Sequence, residues 1–235
     1  MLQTSTLQFL KQLAKNNNKE WFDANRKKYE AAKADHMQSV QKIIDEFCKT
    51  DTTLSTLAAK DCLFRINRDI RFSKDKSPYK INFGAYINAN GKKSMNAGYY
   101  LHIQPGESFV GGGMYQPDAD ALKKIRQEID YNFDAFKNII NNKTFKAVYA
   151  KGISKDGDVS LSRPPKGYDD DNPAIEFIKL KSVVAIAPLT DAQITDKKFV
   201  STVVKAFEAL HPLVLFLNNA LEGLMRSDGS TPSDR

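Results

Sequence analysis

Residues 99–115 read Tyr99-Tyr100-Leu101-His102-Ile103-Gln104-Pro105-Gly106-Glu107-Ser108-Phe109-Val110-Gly111-Gly112-Gly113-Met114-Tyr115, and their pattern decides the fold class. Tyr99, Leu101 and Ile103 alternate with Tyr100, His102 and Gln104. A period of two belongs to a strand with one apolar and one polar face. Pro105-Gly106 marks a turn, and the run from Ser108 to Tyr115 returns as the second strand of a hairpin. Upstream, Ile81, Phe83, Ala85, Ile87 and Ala89 alternate with Asn82, Gly84, Tyr86, Asn88 and Asn90 in the same way. Leu63–Asn67 reads as an earlier strand and Ser182–Ala187 as a short buried one. Strands joined by short turns must be mostly antiparallel.

Helical periodicity frames the sheet. Leu7, Leu10, Leu13 and Ala14 predict a short opening helix. Asn17 stands three residues before Glu20, the spacing of a helix cap, and no Pro or Gly interrupts the chain from there to about Thr50. Val40, Ile43, Ile44 and Phe47 repeat at helical intervals, so the expectation is one long amphipathic helix. Helical signal resumes at Asp118, and a closing helix runs from Phe199 with a kink or restart expected at Pro212. The fold class is therefore α+β: a mostly antiparallel sheet flanked by a long N-terminal helix and C-terminal helices. A single domain over residues 1–226 is expected, with a disordered tail at 227–235.

The chain has 235 residues, 41% hydrophobic and 27% charged, enough to build one sizeable core. No apolar run approaches the roughly 18 residues of a bilayer span, and the N-terminus lacks the pattern of a signal peptide. Cys48 and Cys62 have no metal-ligand spacing. A reduced, cytoplasmic protein without a membrane partner is the plain expectation. Net charge is +7 and the isoelectric point about 9.2, which suits nucleic acid, an anionic metabolite or an acidic partner without choosing among them. Oligomeric state leaves no mark in the sequence.

The charge is focused in the run RINRDIRFSKDKSPYK, residues 65–80. Basic side chains stand at 65, 68, 71, 74, 76 and 80 against two acids, Asp69 and Asp75. Arg grips phosphate or carboxylate with a two-pronged fork. The first reading is a basic pocket of Arg65, Arg68, Arg71, Lys76, Tyr79 and Lys80 for a phosphate- or carboxylate-bearing small molecule. Gly111, Gly112 and Gly113 would leave it room, and His102 is the candidate acid–base group. The bland alternatives are that the glycines let a helix pack close, and that Asp69 and Asp75 pair the cations into an internal network. A nucleic-acid-binding module using the same cations is a third reading. His36 and His211 read as surface or packing histidines, and Asp169-Asp170-Asp171 as solvated loop acids. No phosphate-binding glycine loop, dinucleotide fingerprint or nucleophile elbow occurs, so the sequence supports no named reaction, cofactor or metal site.

NKEWFDANRKKYE and RINRDIRFSKDKSPYK, followed by YYLHIQPGESFVGGGMY and RPPKGYDDDNP, resemble a widespread bacterial and fungal family known as a conserved domain of unknown function. The resemblance runs from about Leu7 to Leu217 and implies an α+β domain in an intracellular setting. It also implies that Arg163 and Lys166 of the later loop join the candidate site. Tyr115 stands where an aromatic residue, often Trp, is expected, and Asn172 where a His is expected.

Overall fold

The computed structural model describes residues 1–155 and 160–223. The tail expected at 227–235 lies outside the described residues. The described chain forms two compact units, with the division running through two strands and the last helix.

The first unit comprises Met1–Ser94, Gly98–Gly111 and Ile186–Ala209. Helix α1 (Thr4–Lys15) buries Leu7, Phe9, Leu10 and Leu13. The long helix expected after it is broken into α2 (Lys19–Ala24) and α3 (Arg26–Phe47). Asn25 causes the break: its side-chain amide donates to the Trp21 carbonyl at 2.9 Å, and its backbone leaves helical geometry at φ −107°, ψ 19°. The cap is also one residue later than expected. Asn18 Oδ1, not Asn17, accepts from the Trp21 N–H at 2.9 Å. A short helix, α4 (Ala59–Cys62), leads to strand β1 (Phe83–Ile87). Strand β1 pairs antiparallel with β2 (Gly98–Ile103), Phe83 facing Ile103 and Ile87 facing Tyr99. The strand expected over Leu63–Asn67 is reduced to two separate bridges, Leu63 to Ala85 and Asn67 to Tyr79.

Alternation on the sheet is clean. Ala85, Ile87, Tyr99, Leu101 and Ile103 are fully buried, whereas Tyr86, Tyr100 and His102 are half-buried on the opposite face. The inner face meets α3 through Phe47, whose ring stands edge-on to Tyr99 at 4.8 Å. Phe207 closes the trio at 5.0 Å from Tyr99. Each such ring removed from water contributes about 1.5–3 kcal/mol. The buried Tyr99 hydroxyl is satisfied by donating to Asp51 at 3.2 Å.

Strand β3 (Ser108–Met114) follows β2 through the expected turn, and β4 (Val183–Leu189) completes one antiparallel sheet of order β1-β2-β3-β4. The second unit comprises Met95–Ala97, Gly112–Ala185 and the chain from Leu210. Its helices are α5 (Ala119–Tyr131), capped by Asp118, then α6 (Phe133–Asn141), α7 (Lys143–Val148) and α8 (Ile175–Ile178). Its core centres on Phe136, packed against Phe177 at 5.0 Å and Phe216 at 5.5 Å. Arg126 donates to the carbonyls of Ile178 and Leu180 at 2.7 and 3.2 Å, satisfying the end of α8.

Helix α9 (Asp191–Thr195) belongs to the first unit, and α10 (Phe199–Glu222) ends the described chain. Pro212 lies inside α10 without ending it. Leu210, Leu213 and Leu217 are fully buried, and that packing outweighs the hydrogen bond the proline removes. By length and composition α10 could cross a membrane. Its apolar side chains are instead largely taken up within the protein, as in a core helix.

Candidate functional site

The basic run folds as a hairpin anchored on the first unit's core. Lys80 N–H donates to the Ile66 carbonyl at 2.7 Å and Arg68 N–H to the Pro78 carbonyl at 2.9 Å. Tyr79 fixes the base of this ladder. Its ring stacks on Phe22 at 3.9 Å and 15°. Asn17 holds its backbone on both sides, donating to the Tyr79 carbonyl at 2.9 Å and accepting from its N–H at 3.1 Å. Tyr79 is 7% exposed. That burial makes Tyr79, placed in the basic pocket by the sequence, the hairpin's footing.

Within the loop, the cations turn largely on their neighbours. Arg68 donates to Asp75, to the Ser77 carbonyl at 3.2 Å and to Ser73 Oγ at 3.2 Å, spanning the loop from inside. Asp75 also accepts from the Ser77 N–H at 2.9 Å and hydroxyl at 2.6 Å. Those Ser77 bonds, then Arg68, hold its carboxyl down to about 2. Arg71 pairs with Asp69 at 2.7 Å in solvent, a contact of little energetic weight. Lys76 Nζ donates to the Ile70 carbonyl at 3.0 Å. Arg68, Arg71 and Lys76, expected to grip a ligand, are thus engaged in bracing the loop.

Arg65 and Lys80 are different. Among the described residues neither makes a hydrogen bond from its side chain or an ion pair within 4.0 Å. They lie close enough to influence each other, and burial followed by the Arg65 charge lowers the Lys80 pKa. Lys80 Nζ rests 5.4 Å from the centre of the Phe64 ring. Phe64 is held at the sheet's edge by its N–H, which donates to the Gly84 carbonyl at 3.1 Å. Beyond it on the outer face stand Tyr100, His102 and Phe109, all half-buried.

Both His102 ring nitrogens are occupied. Gln104 donates its amide N–H to Glu107, which turns Gln104 Oε1 towards His102 Nε2 at 3.3 Å. Nε2 therefore carries the proton, and Nδ1 accepts from the Tyr100 hydroxyl at 3.3 Å. Burial lowers the His102 pKa, with Gln104 and Glu107 opposing the shift. The ring is neutral near pH 7, and proton exchange with a ligand requires one of its two bonds to open.

Gly113, expected to leave a ligand space, is crowded by backbone. A Cβ there would lie 2.2 Å from the Val183 carbonyl oxygen, and its φ is +113°. The close approach of β4 explains this glycine. Gly112 precedes it in the second unit, while Gly111 closes the first unit's part of β3. Arg163 and Lys166 are exposed residues of the second unit, and Asn172 there donates to Asp130 at 2.6 Å. A separate open depression in the first unit, between Met1, Lys42, Lys49 and Lys197, contains none of the candidate residues. Among the described residues no three His, Cys, Asp or Glu side chains gather as metal ligands.

Sequence reading missed the aromatic company of the two free cations. Period-two sorting put Tyr100 and His102 on one face, but Phe64 joins them only through the bridge at Leu63, and Phe109 through the place of β3 beside β2.

These features define an α+β protein whose antiparallel sheet carries a braced basic hairpin at its edge and an aromatic outer face. The chain belongs to the conserved hypothetical protein family DUF2461, whose match covers residues 5–216. No curated protein and no solved structure matches it.

Proposed function

We propose that this protein binds a phosphate- or carboxylate-bearing small molecule at the sheet edge, with Arg65 and Lys80 as its anion-binding pair. One observation carries the reading: among the described residues two neighbouring cations, one of them half-buried, have no ion pair within 4.0 Å, and Asp69 acts on Arg65 only at longer range. Like charges held together raise each other's free energy, and a bound anion relieves both. The engaged cations of the loop set the stage. Arg68, Arg71 and Lys76 hold the hairpin that carries Lys80, and their bonds favour a structural role for that part of the run. A reduced, cytoplasmic setting accords with Cys48 and Cys62 both being free thiols.

Thermal melting tests the proposal, because a ligand of the native state raises the melting temperature by mass action. Phosphate, pyrophosphate and citrate at millimolar concentration are expected to raise it for wild type and not for Arg65→Gln/Lys80→Gln. Among the described residues neither side chain makes a hydrogen bond or an ion pair within 4.0 Å, and Lys80 gives up only its contact with the Phe64 ring, so the double variant is expected to keep the fold. An equal rise in the variant, or no rise in wild type, sinks the proposal.

A further inference from the structure

The sheet's outer face offers more than charge. Phe64, Tyr100, His102 and Phe109 form a continuous row of rings. Phe64 meets Tyr100 edge-on at 6.3 Å and 64°. Tyr100 lies 6.0 Å from His102, and His102 stacks on Phe109 at 4.7 Å and 10°. The row is laid down on the sheet by the absence of a side chain at Gly84, which faces His102 in register. A Cβ at Gly84 would sit 2.7 Å from the Tyr100 hydroxyl and 3.3 Å from the Phe64 ring. Both rings use the space that glycine leaves. The row opens to solvent at Phe64, which is 40% exposed.

A row of rings with one exposed end, and a cation against that end, is the physical complement of a flat ring carrying an anion. Base-on-aromatic stacking tolerates any base because every base has a π face. Cations supply the phosphate contact. Lys80 at present occupies the free face of Phe64 as a cation–π partner. A planar ring stacking there takes over that face and releases the ammonium towards the phosphate. A sugar phosphate or dicarboxylate would use the cations alone and leave the rings uncovered.

We infer that the ligand of the Arg65–Lys80 site is a nucleotide unit, its base stacked on Phe64 at the open end of the ring row and its phosphate held by Lys80 and Arg65. This rests on the anion-binding reading above and adds the class of ligand. A free nucleotide and a nucleotide within a single strand share this chemistry.

Calorimetric titration of the full chain at low salt tests it with ribose 5-phosphate, AMP, UMP and a twelve-nucleotide single strand. AMP and UMP are expected to bind about tenfold more tightly than ribose 5-phosphate, the gain of one stacked base. Phe64→Ala is expected to abolish that gain, so that AMP, UMP and ribose 5-phosphate bind the variant with equal affinity, and its melting temperature reports that the fold is kept. Arg65→Gln/Lys80→Gln should lose every ligand. Equal affinity for AMP and ribose 5-phosphate, or a gain that survives Phe64→Ala, overturns the inference and leaves the anion site standing. Failure of every ligand overturns both. A strand bound more than tenfold more tightly than AMP, with affinity falling as salt rises, assigns the site to single-stranded nucleic acid. Comparable affinities assign it to a free nucleotide.

Discussion

In the hairpin of residues 66–80, Arg68 turns its guanidinium inward while Phe72 holds its ring out at 95% exposure. Arg68→Ala removes a group that spans Ser73, Asp75 and Ser77, and leaves the Ser77 carbonyl without its donor. With Arg68 a quarter exposed, water replaces part of that loss. The melting temperature is expected to fall by about 2–4 °C, whereas Phe72→Ala should leave it unchanged. Equal effects in a thermal melt would contradict the brace. His36 gives a second test at this scale. It is buried at 2% exposure against Phe83, 5.3 Å away, with no hydrogen-bond partner for either ring nitrogen. Burial lowers its pKa from 6.5 to about 4, and the nearby Gly84 backbone opposes the shift although it does not reach hydrogen-bond geometry. Above pH 6.5 the imidazole is neutral in both folded and unfolded chains, so it adds no pH dependence. Between 6.5 and 4 the unfolded chain gains a proton that the folded chain refuses, and stability falls as pH falls. The loss should approach about 3 kcal/mol by pH 4. Denaturant titrations from pH 7 to 4 should show it, and His36→Leu should flatten most of the slope. The remainder belongs to His102, whose pKa is lowered in the same sense, and near pH 4 to the lowered carboxylates Asp23, Asp69, Asp75 and Asp134. An unchanged slope in His36→Leu would contradict the assignment. The sequence showed His36 only as a surface or packing histidine, since a burial this complete depends on which strand crosses the helix.

Among elements, the hairpin β2–β3 was legible because alternation and the Pro105-Gly106 turn act over a few residues. The helix break at Asn25 was hidden, since an uninterrupted stretch without Pro or Gly says nothing of a side chain that competes for the backbone. The edge segment at Leu63 to Asn67 looked like a strand, yet its two bridges belong to different partners, Ala85 and Tyr79. Apolar pattern alone cannot distribute one segment between two pairings. The glycine run was legible as room for a ligand or as close packing of a helix, and at Gly113 the close neighbour is strand β4. A side chain there meets both a φ of +113° and the Val183 carbonyl at 2.2 Å. Gly113→Ala is expected to destabilise the protein by at least about 3 kcal/mol. Chemical denaturation checks this. A variant as stable as wild type would mean that β3 and β4 do not approach as closely as described.

At the scale of the whole molecule, the question is whether the two compact units behave as one cooperative body. Composition and length suggested a single domain, and no linker interrupts the sequence. Strands β3 and β4 and helix α10 each begin in one unit and end in the other. Neither unit can therefore unfold with all its elements whole. Melting the second unit alone would end α10 at Ala209, exposing Leu210, Leu213 and Leu217, which are fully buried in the folded chain. It would also strip β3 of Gly112 to Met114 and β4 of Val183 to Ala185. Helix and strand formation are cooperative along an element, so cutting three elements at once is disfavoured against unfolding all of them. Differential scanning calorimetry is expected to give one transition whose calorimetric and van't Hoff enthalpies agree. For a chain of this length, the enthalpy at the midpoint should be on the order of 150 kcal/mol. Addition of AMP should move that one transition upward as a whole, because a ligand bound at Phe64, Arg65 and Lys80 then stabilises every element coupled to them. Two resolved transitions, with only one shifted by ligand, would show instead that the chain is built of two domains that merely share a sheet.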